Sequence, residues 1–246
     1  MFFNKLKPII VDFYTFDPSA FEYAKPSIGR TRPKWLSALC PVISKQKEGA
    51  PPGFIENQPT AMYCPAIRDF INDAITIPSW YETDLIISGR NWTDTKGPYW
   101  NERIEPHSND QVGGSFYKDR IFLKLVSPWK GICKEDINFM YLQNFYGSEF
   151  FSDNDIIIPP GYTNFKYQNS TNIHLWVKEA KETYNINLPI LTPLLSLVPM
   201  TERSVKIRNH LVSFSEWIAL GSPNPKVSVG AYYKKLKLIK KKANND

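Results

Sequence analysis

Cysteine and histidine are scarce in this chain of 246 residues, which has three of each. Cys40, Cys64 and Cys133 are odd in number, far apart and form no C-x-x-C pair, which argues against a disulfide framework. The expected role of such a cysteine is that of a small buried hydrophobe. Long apolar runs are also missing. No window approaches the run of about 18 apolar residues that a membrane-spanning helix needs, and the opening "MFFNKLKPIIVDFY" has neither a long apolar segment nor a small-residue cleavage site. The expectation is a soluble, unexported protein.

Glycine is limited to 12 residues, and none forms a phosphate-binding loop: G-x-x-x-x-G-K-[ST] and G-x-G-x-x-G are both absent, and "QVGGSF" is too short to stand for either. The G-x-S-x-G elbow of serine hydrolases is absent too. Sequence motifs therefore nominate no catalytic residues.

What the chain does contain is aromatic side chains, 14% of residues, and 20 prolines. That combination favours many short extended segments over long helices, hence a mainly β class. Turn signals recur through "GRNW", "DTKGPYW", "NDQVGG", "SPWKG", "YGSEFFSDND" and "PPGY", separating aromatic or β-branched runs. Expected strands are an opening "IIVDFYTF", then Tyr81–Ser88, Arg103–Glu105, Ile121–Val126, Asn138–Gln143, Thr163–Gln168, Asn172–Val177, Leu194–Pro199 and Ser204–Leu211. The eight after the opening one suffice for an antiparallel jelly-roll-like sandwich or barrel.

Three domain segments follow. Residues 1–60 read as an irregular N-terminal segment packed on the body, with a short helix around Trp35–Leu39 and a polar, Pro- and Gly-rich loop "SKQKEGAPPGFIENQPT". Residues 61–220 form the β body. It opens with a short helix in which Pro65 occupies the first turn and Ile67, Phe70 and Ile71 share a face. A further helix is expected in "SFSEWIAL", where Ser and Glu216 suit a capped start. Residues 221–246 are a basic C-terminal helix or tail, in which Tyr232, Leu236 and Ile239 recur at helical spacing.

The formal charge of +6 sits in that tail. Removing Lys234, Lys235, Lys237, Lys240, Lys241, Lys242 and Asp246 leaves 24 basic and 23 acidic residues over positions 1–233. The body is nearly neutral, and the six lysines are candidate partner-binding residues.

Other candidate sites rest on scattered residues. His107, Asp110 and His174 could supply a metal set of two histidines and a carboxylate, with iron as the ion of a cupin-like 2-oxoglutarate oxygenase. The three-residue step from His107 to Asp110 requires a turn for the two to converge, since strand side chains alternate faces. Trp80, Tyr81, Trp92, Tyr99, Trp100 and Trp129 are candidate ligand platforms, for instance for sugars. "GRTRPKW", with Arg30, Arg32 and Lys34 beside Trp35, could grip a nucleic acid.

Cys64–Pro65, then Pro78–Trp80, His107 with Gln111, Ser127–Pro128–Trp129, and Thr192–Pro193 through Pro199 recur as a set. In that set the chain resembles an uncharacterised family of β-rich proteins of marine tailed phages, cyanophage type. The resemblance spans roughly residues 60 to 220. It implies a jelly-roll-like fold in a phage setting and carries no established activity. The expectation is a non-enzymatic structural or interaction protein that binds another protein, with a virion component as the candidate partner, acting in the infected host's cytoplasm or in the particle, without a cofactor. The alternatives are the iron-dependent enzyme and a carbohydrate- or nucleic-acid-binding module.

Overall fold

The computed structural model describes residues 6–29, 36, 38–40, 42–49, 51–53, 55–96, 104–107, 118–179, 181–220 and 238. Its strands, in chain order, are β1 (Ile9–Thr15), β2 (Ser27–Ile28), β3 (Val42–Gln46), β4 (Ile55–Pro59), β5 (Ile75–Pro78), β6 (Thr83–Ser88), β7 (Asn91–Asp94), β8 (Ile104–Pro106) and β9 (Arg120–Leu125). They continue with β10 (Lys130–Cys133), β11 (Phe139–Gln143), β12 (Ile156–Ile157), β13 (Gly161–Thr163), β14 (Ile173–Lys178), β15 (Tyr184–Leu188), β16 (Pro193–Pro199) and β17 (Val205–Leu211). The α-helices are short: α1 (Pro18–Tyr23), α2 (Pro65–Asp73), α3 (Phe150–Asp153) and α4 (Phe214–Ala219).

The mainly β class is observed, as several sheets with no closed barrel among the described residues. Their strand orders are β10-β1-β17, β13-β11-β16-β5-β2, β12-β14-β9-β8, β15-β6-β7 and the hairpin β3-β4. All pairings are antiparallel except β1 with β17, which run parallel from Ile9 opposite Val205 to Thr15 opposite Leu211. This parallel ladder corrects the expectation of a wholly antiparallel arrangement. A parallel pair needs a long crossover, and here nearly the whole chain intervenes.

Period-2 alternation explains how the sheets bury one side. In β9, Ile121, Leu123 and Leu125 point inward, and in β14 Ile173, Leu175 and Val177 do the same. One apolar cluster joins residues of the four larger sheets, from Ile9, Val11 and Phe13 to Leu85, Ile87, Ile186 and Leu197. Phe165 meets Phe13 edge-on at 5.7 Å between ring centroids and Phe139 at 5.2 Å. Fully burying side chains of this size contributes roughly 1.5–3 kcal/mol each, so β1 is part of the body's core. The expected opening strand is thus present as β1 and packs into the body.

Two helices match the sequence reading. In α2, Pro65 takes the first position after Cys64, and Ile71 is buried while Ile67 and Phe70 are half-buried. Ala74 then leads straight into the buried Ile75, Thr76 and Ile77 of β5. In α4, Ser213 accepts from the Glu216 amide, and Glu216 accepts from the Ser213 amide at 2.8 Å, a reciprocal capping box. Near the expected helix at 35–39, Leu36 and Ala38 are helical and Leu36 is buried.

Two further expectations fail. The strand expected at 163–168 stops at Thr163, because Asn164 turns the chain: its side chain accepts from the Lys166 amide, and its carbonyl accepts from Tyr167 and Gln168. The polar loop after Val42 is instead a β-hairpin. Strands β3 and β4 pair in register from Val42 opposite Pro59 to Gln46 opposite Ile55. Gly49 (φ +76°) and Gly53 (φ +90°) supply the left-handed backbone of its turn.

Candidate functional site

Two groupings stand apart from the apolar core: the second face of the β12-β14-β9-β8 sheet, on which Phe122 is itself buried, and the β3-β4 hairpin.

On that sheet the core takes Ile104, Leu123, Leu125, Ile173, Leu175 and Val177, so the alternate residues face away from it. Glu105, Lys124 and His174 are lateral neighbours across β8, β9 and β14. Phe122 and Trp176 form the next row, edge-on at 5.5 Å between centroids. His107 follows β8 directly, its amide donating to the Phe122 carbonyl at 2.9 Å, and stands two residues from Glu105 on the same face. Lys124 and Glu105 form an ion pair.

The two histidines meet. Their ring centroids lie 5.0 Å apart, with planes tilted by 39°. Burial, then the nearby His107 and Lys124 charges, push the His174 imidazole down to about 4, so it is neutral at physiological pH. Tyr141 approaches from the neighbouring sheet and donates to the Asn172 carbonyl at 2.8 Å. Burial raises its hydroxyl and holds it protonated.

Of the metal set read from the sequence, His107 and His174 thus converge, and Asp110 lies outside the described residues. Among the described residues no group of three His, Cys, Asp or Glu side chains gathers. The histidines also face away from the packed core, unlike ligands lining the interior of a cupin barrel. Glu105, a carboxylate on the same face that sequence reasoning passed over, pairs with Lys124 and does not complete a metal set. The signal was its spacing: Glu105-x-His107 is the period-2 pattern that puts two side chains on one face of a strand.

Two of the six candidate aromatic platforms lie inside the body. Trp80 and Trp129 are buried in the core, at 5% and 1% exposure, and the Trp129 indole donates to the Ala24 carbonyl at 3.1 Å. Neither can stack on an external ring; a large aromatic buries more area than it can leave exposed. Trp92 and Tyr81 are half-buried against the core. Tyr99, Trp100, the "GRTRPKW" cations and Lys234, Lys235, Lys237, Lys240, Lys241 and Lys242 lie outside the described residues. The cysteines split: Cys133 is buried and its thiol pushed up by that burial, Cys64 is half-buried, and Cys40 is exposed, against the expectation of burial for all three.

The hairpin has no such chemistry, but its surface is unusual. Every side chain from Val42 to Gln46 and from Ile55 to Gln58 is exposed, so both faces are bare. Exposure reaches 43% at Val42, 42% at Ile43 and 62% at Ile55. Among the described residues the sheet has only two strands, and neither outer backbone edge has a ladder partner there. It is tied internally by Ser44 Oγ donating to Asn57 Oδ1 at 2.7 Å and by Gln46, which donates to the Pro51 carbonyl and accepts from the Gly53 amide. Thr60 Oγ closes its base on the Cys40 carbonyl at 2.8 Å.

Comparison with family models, with curated proteins and with solved structures gives no match to the chain. Among the described residues no helix is long and apolar enough to cross a membrane.

Proposed function

We propose that the chain is a non-enzymatic, phage-encoded structural or interaction protein: a jelly-roll-like body that docks on another protein, a virion component, through the β3-β4 hairpin. The observation that carries this reading is a hairpin exposed on both faces, with Val42, Ile43 and Ile55 exposed and, among the described residues, no ladder partner at either edge. A two-stranded hairpin is marginally stable at best on its own, and open backbone edges are a template for pairing with another chain. Addition of its edge to a partner's sheet supplies main-chain hydrogen bonds for affinity and alternate side chains for specificity. The phage setting comes from the sequence resemblance, and the lysines at 234–242 are a second contact for the same partner.

The test is quantitative mass spectrometry of gradient-purified particles from cells expressing the native chain or the Ile43→Lys/Ile55→Lys variant. A fixed copy number relative to the capsid or tail proteins, lost in the variant at unchanged thermal stability, supports the reading. Absence of the native chain from particles overturns the virion role, and undiminished incorporation of the variant overturns the hairpin's part in it.

A further inference from the structure

A cleft of about 540 Å³ opens between helix α2, the end of β16 and the start of β17. Its floor is apolar, with Phe70, Val198 and Val205 half-buried, and its rim carries the exposed carboxylates Asp69, Asp73 and Glu202. Asp69 and Asp73 are about one helical turn apart and so share a face of α2. Arg203 also lines the cleft, but its guanidinium is engaged by Glu135 and by the Lys7 carbonyl at 2.7 Å. Asp69 meets the exposed Arg68 on its own helix, a pair that solvent screens, and among the described residues Asp73 and Glu202 have no ion-pair partner. An anionic rim thus surrounds an apolar floor.

We propose that this cleft seats the chain's own basic segment, residues 232–242, in the free protein. The segment has the complementary chemistry. Tyr232, Leu236 and Ile239 recur at helical spacing among Lys234, Lys235, Lys237, Lys240, Lys241 and Lys242, a pattern that offers an apolar stripe to the floor and ammonium groups to the rim. Leu238, two residues on from Leu236 and so on the far side of such a helix, is helical and 61% exposed. The connection is long enough. The cleft meets β17 at Val205, whereas α4 starts just beyond the strand's other end at Leu211, and seven residues of strand cover about 23 Å. The 13 residues from 221 to 233 span up to about 43 Å when extended. This seating is independent of the hairpin's role; a partner that takes the lysines displaces them from the cleft.

The experiment treats the full chain at micromolar concentration with a carbodiimide, which joins an amine to a carboxylate in contact with it, and identifies the linked peptides of the monomer fraction by mass spectrometry. The expected links run from Asp69, Asp73 or Glu202 to lysines of 234–242, with a yield about fivefold lower in 1 M NaCl, where the screening length falls to about 3 Å. Acylation footprinting then compares the native chain with Asp69→Asn/Asp73→Asn/Glu202→Gln, a variant altered only at exposed side chains. Lysines 234–242 should be acylated about threefold faster in the variant, at an unchanged unfolding midpoint. Equal acylation rates, an absence of links between the cleft and lysines 234–242, or links from the cleft to Lys34 in their place overturn the proposal. Links to 234–242 confined to a dimer fraction overturn it too, because a second copy is then the occupant.

Discussion

His210 Nε2 lies 2.8 Å from Asp12 Oδ1, joining residues 198 positions apart in the chain. The same carboxylate accepts from Arg208 Nε at 2.7 Å and Arg208 Nη2 at 2.8 Å, and the Tyr14 ring stacks on His210 at 4.6 Å. The parallel register of β1 and β17 makes this possible by setting Asp12 opposite Arg208 and Tyr14 opposite His210. The cluster locks the strand nearest the N-terminus to one near the C-terminus.

Asp12→Asn is expected to cost about 1–2 kcal/mol at pH 7, a value kept low because Arg208 is largely exposed and screened. The pH dependence has a definite sign. Burial pushes the Asp12 carboxyl up, but the hydrogen bonds and charges of Arg208 and His210 outweigh it and hold the group below its ordinary value. Its stabilisation is complete above the unfolded value of about 3.9 and is lost as pH falls through the lower folded value. Urea unfolding at a series of pH values should show the gap between native and Asp12→Asn closing below pH 4, and a constant gap would refute the assignment.

Gly131 is required by packing. It pairs with Phe13, and a Cβ built on it would sit 2.6 Å from Phe165 Cε1 in the core. Gly131→Ala should destabilise by about 1–3 kcal/mol through overpacking. Adding Phe165→Leu should make the Gly131 substitution cheaper than it is alone, which a double-mutant cycle in denaturant measures.

Trp129→Phe removes the hydrogen bond to the Ala24 carbonyl and leaves a gap beside it. A loss of about 2–3 kcal/mol is expected. A drop in sugar affinity at unchanged unfolding midpoint would instead restore the ligand platform that the buried position argues against.

Lys130 is 5% exposed; its ammonium donates to the Trp217 carbonyl at 2.7 Å and lies 3.8 Å from that ring's centre. Burial lowers its affinity for the proton, so the unfolded chain binds that proton more tightly. Native stability should therefore gain from this residue as pH rises from the folded value towards the unfolded one of about 10.4. Lys130→Met should lack that gain when the two unfolding curves are compared at pH 8 and pH 10, and identical pH slopes would count against it.

Much of the local structure was legible. Pro65 with the apolar spacing of Ile67, Phe70 and Ile71 marked α2, and the Ser213–Glu216 pair marked α4, because helix starts depend on neighbours in the chain. Strands β9, β11, β14, β16 and β17 lie within a residue or so of their expected bounds, since alternation is a local pattern too. The hairpin at 42–59 was read as a loop because neither strand has an apolar face to bury, so the cue that reveals a half-buried strand was missing. Trp80 and Trp129 were misread because residue type alone does not say whether an aromatic faces the core or the solvent.

The amino-acid sequence by itself determined a mainly β chain, its principal turns, two of its helices and a nearly neutral body with a basic end. Those properties follow from backbone preferences, spacing and charge, each set within a few residues. Tertiary structure alone decided that β1 pairs in parallel with β17, that His107 meets His174, and that Asp12 is gripped by Arg208 and His210. Those contacts depend on which strands become neighbours, and long-range pairing is chosen by burying one shared core rather than by any local run of residues.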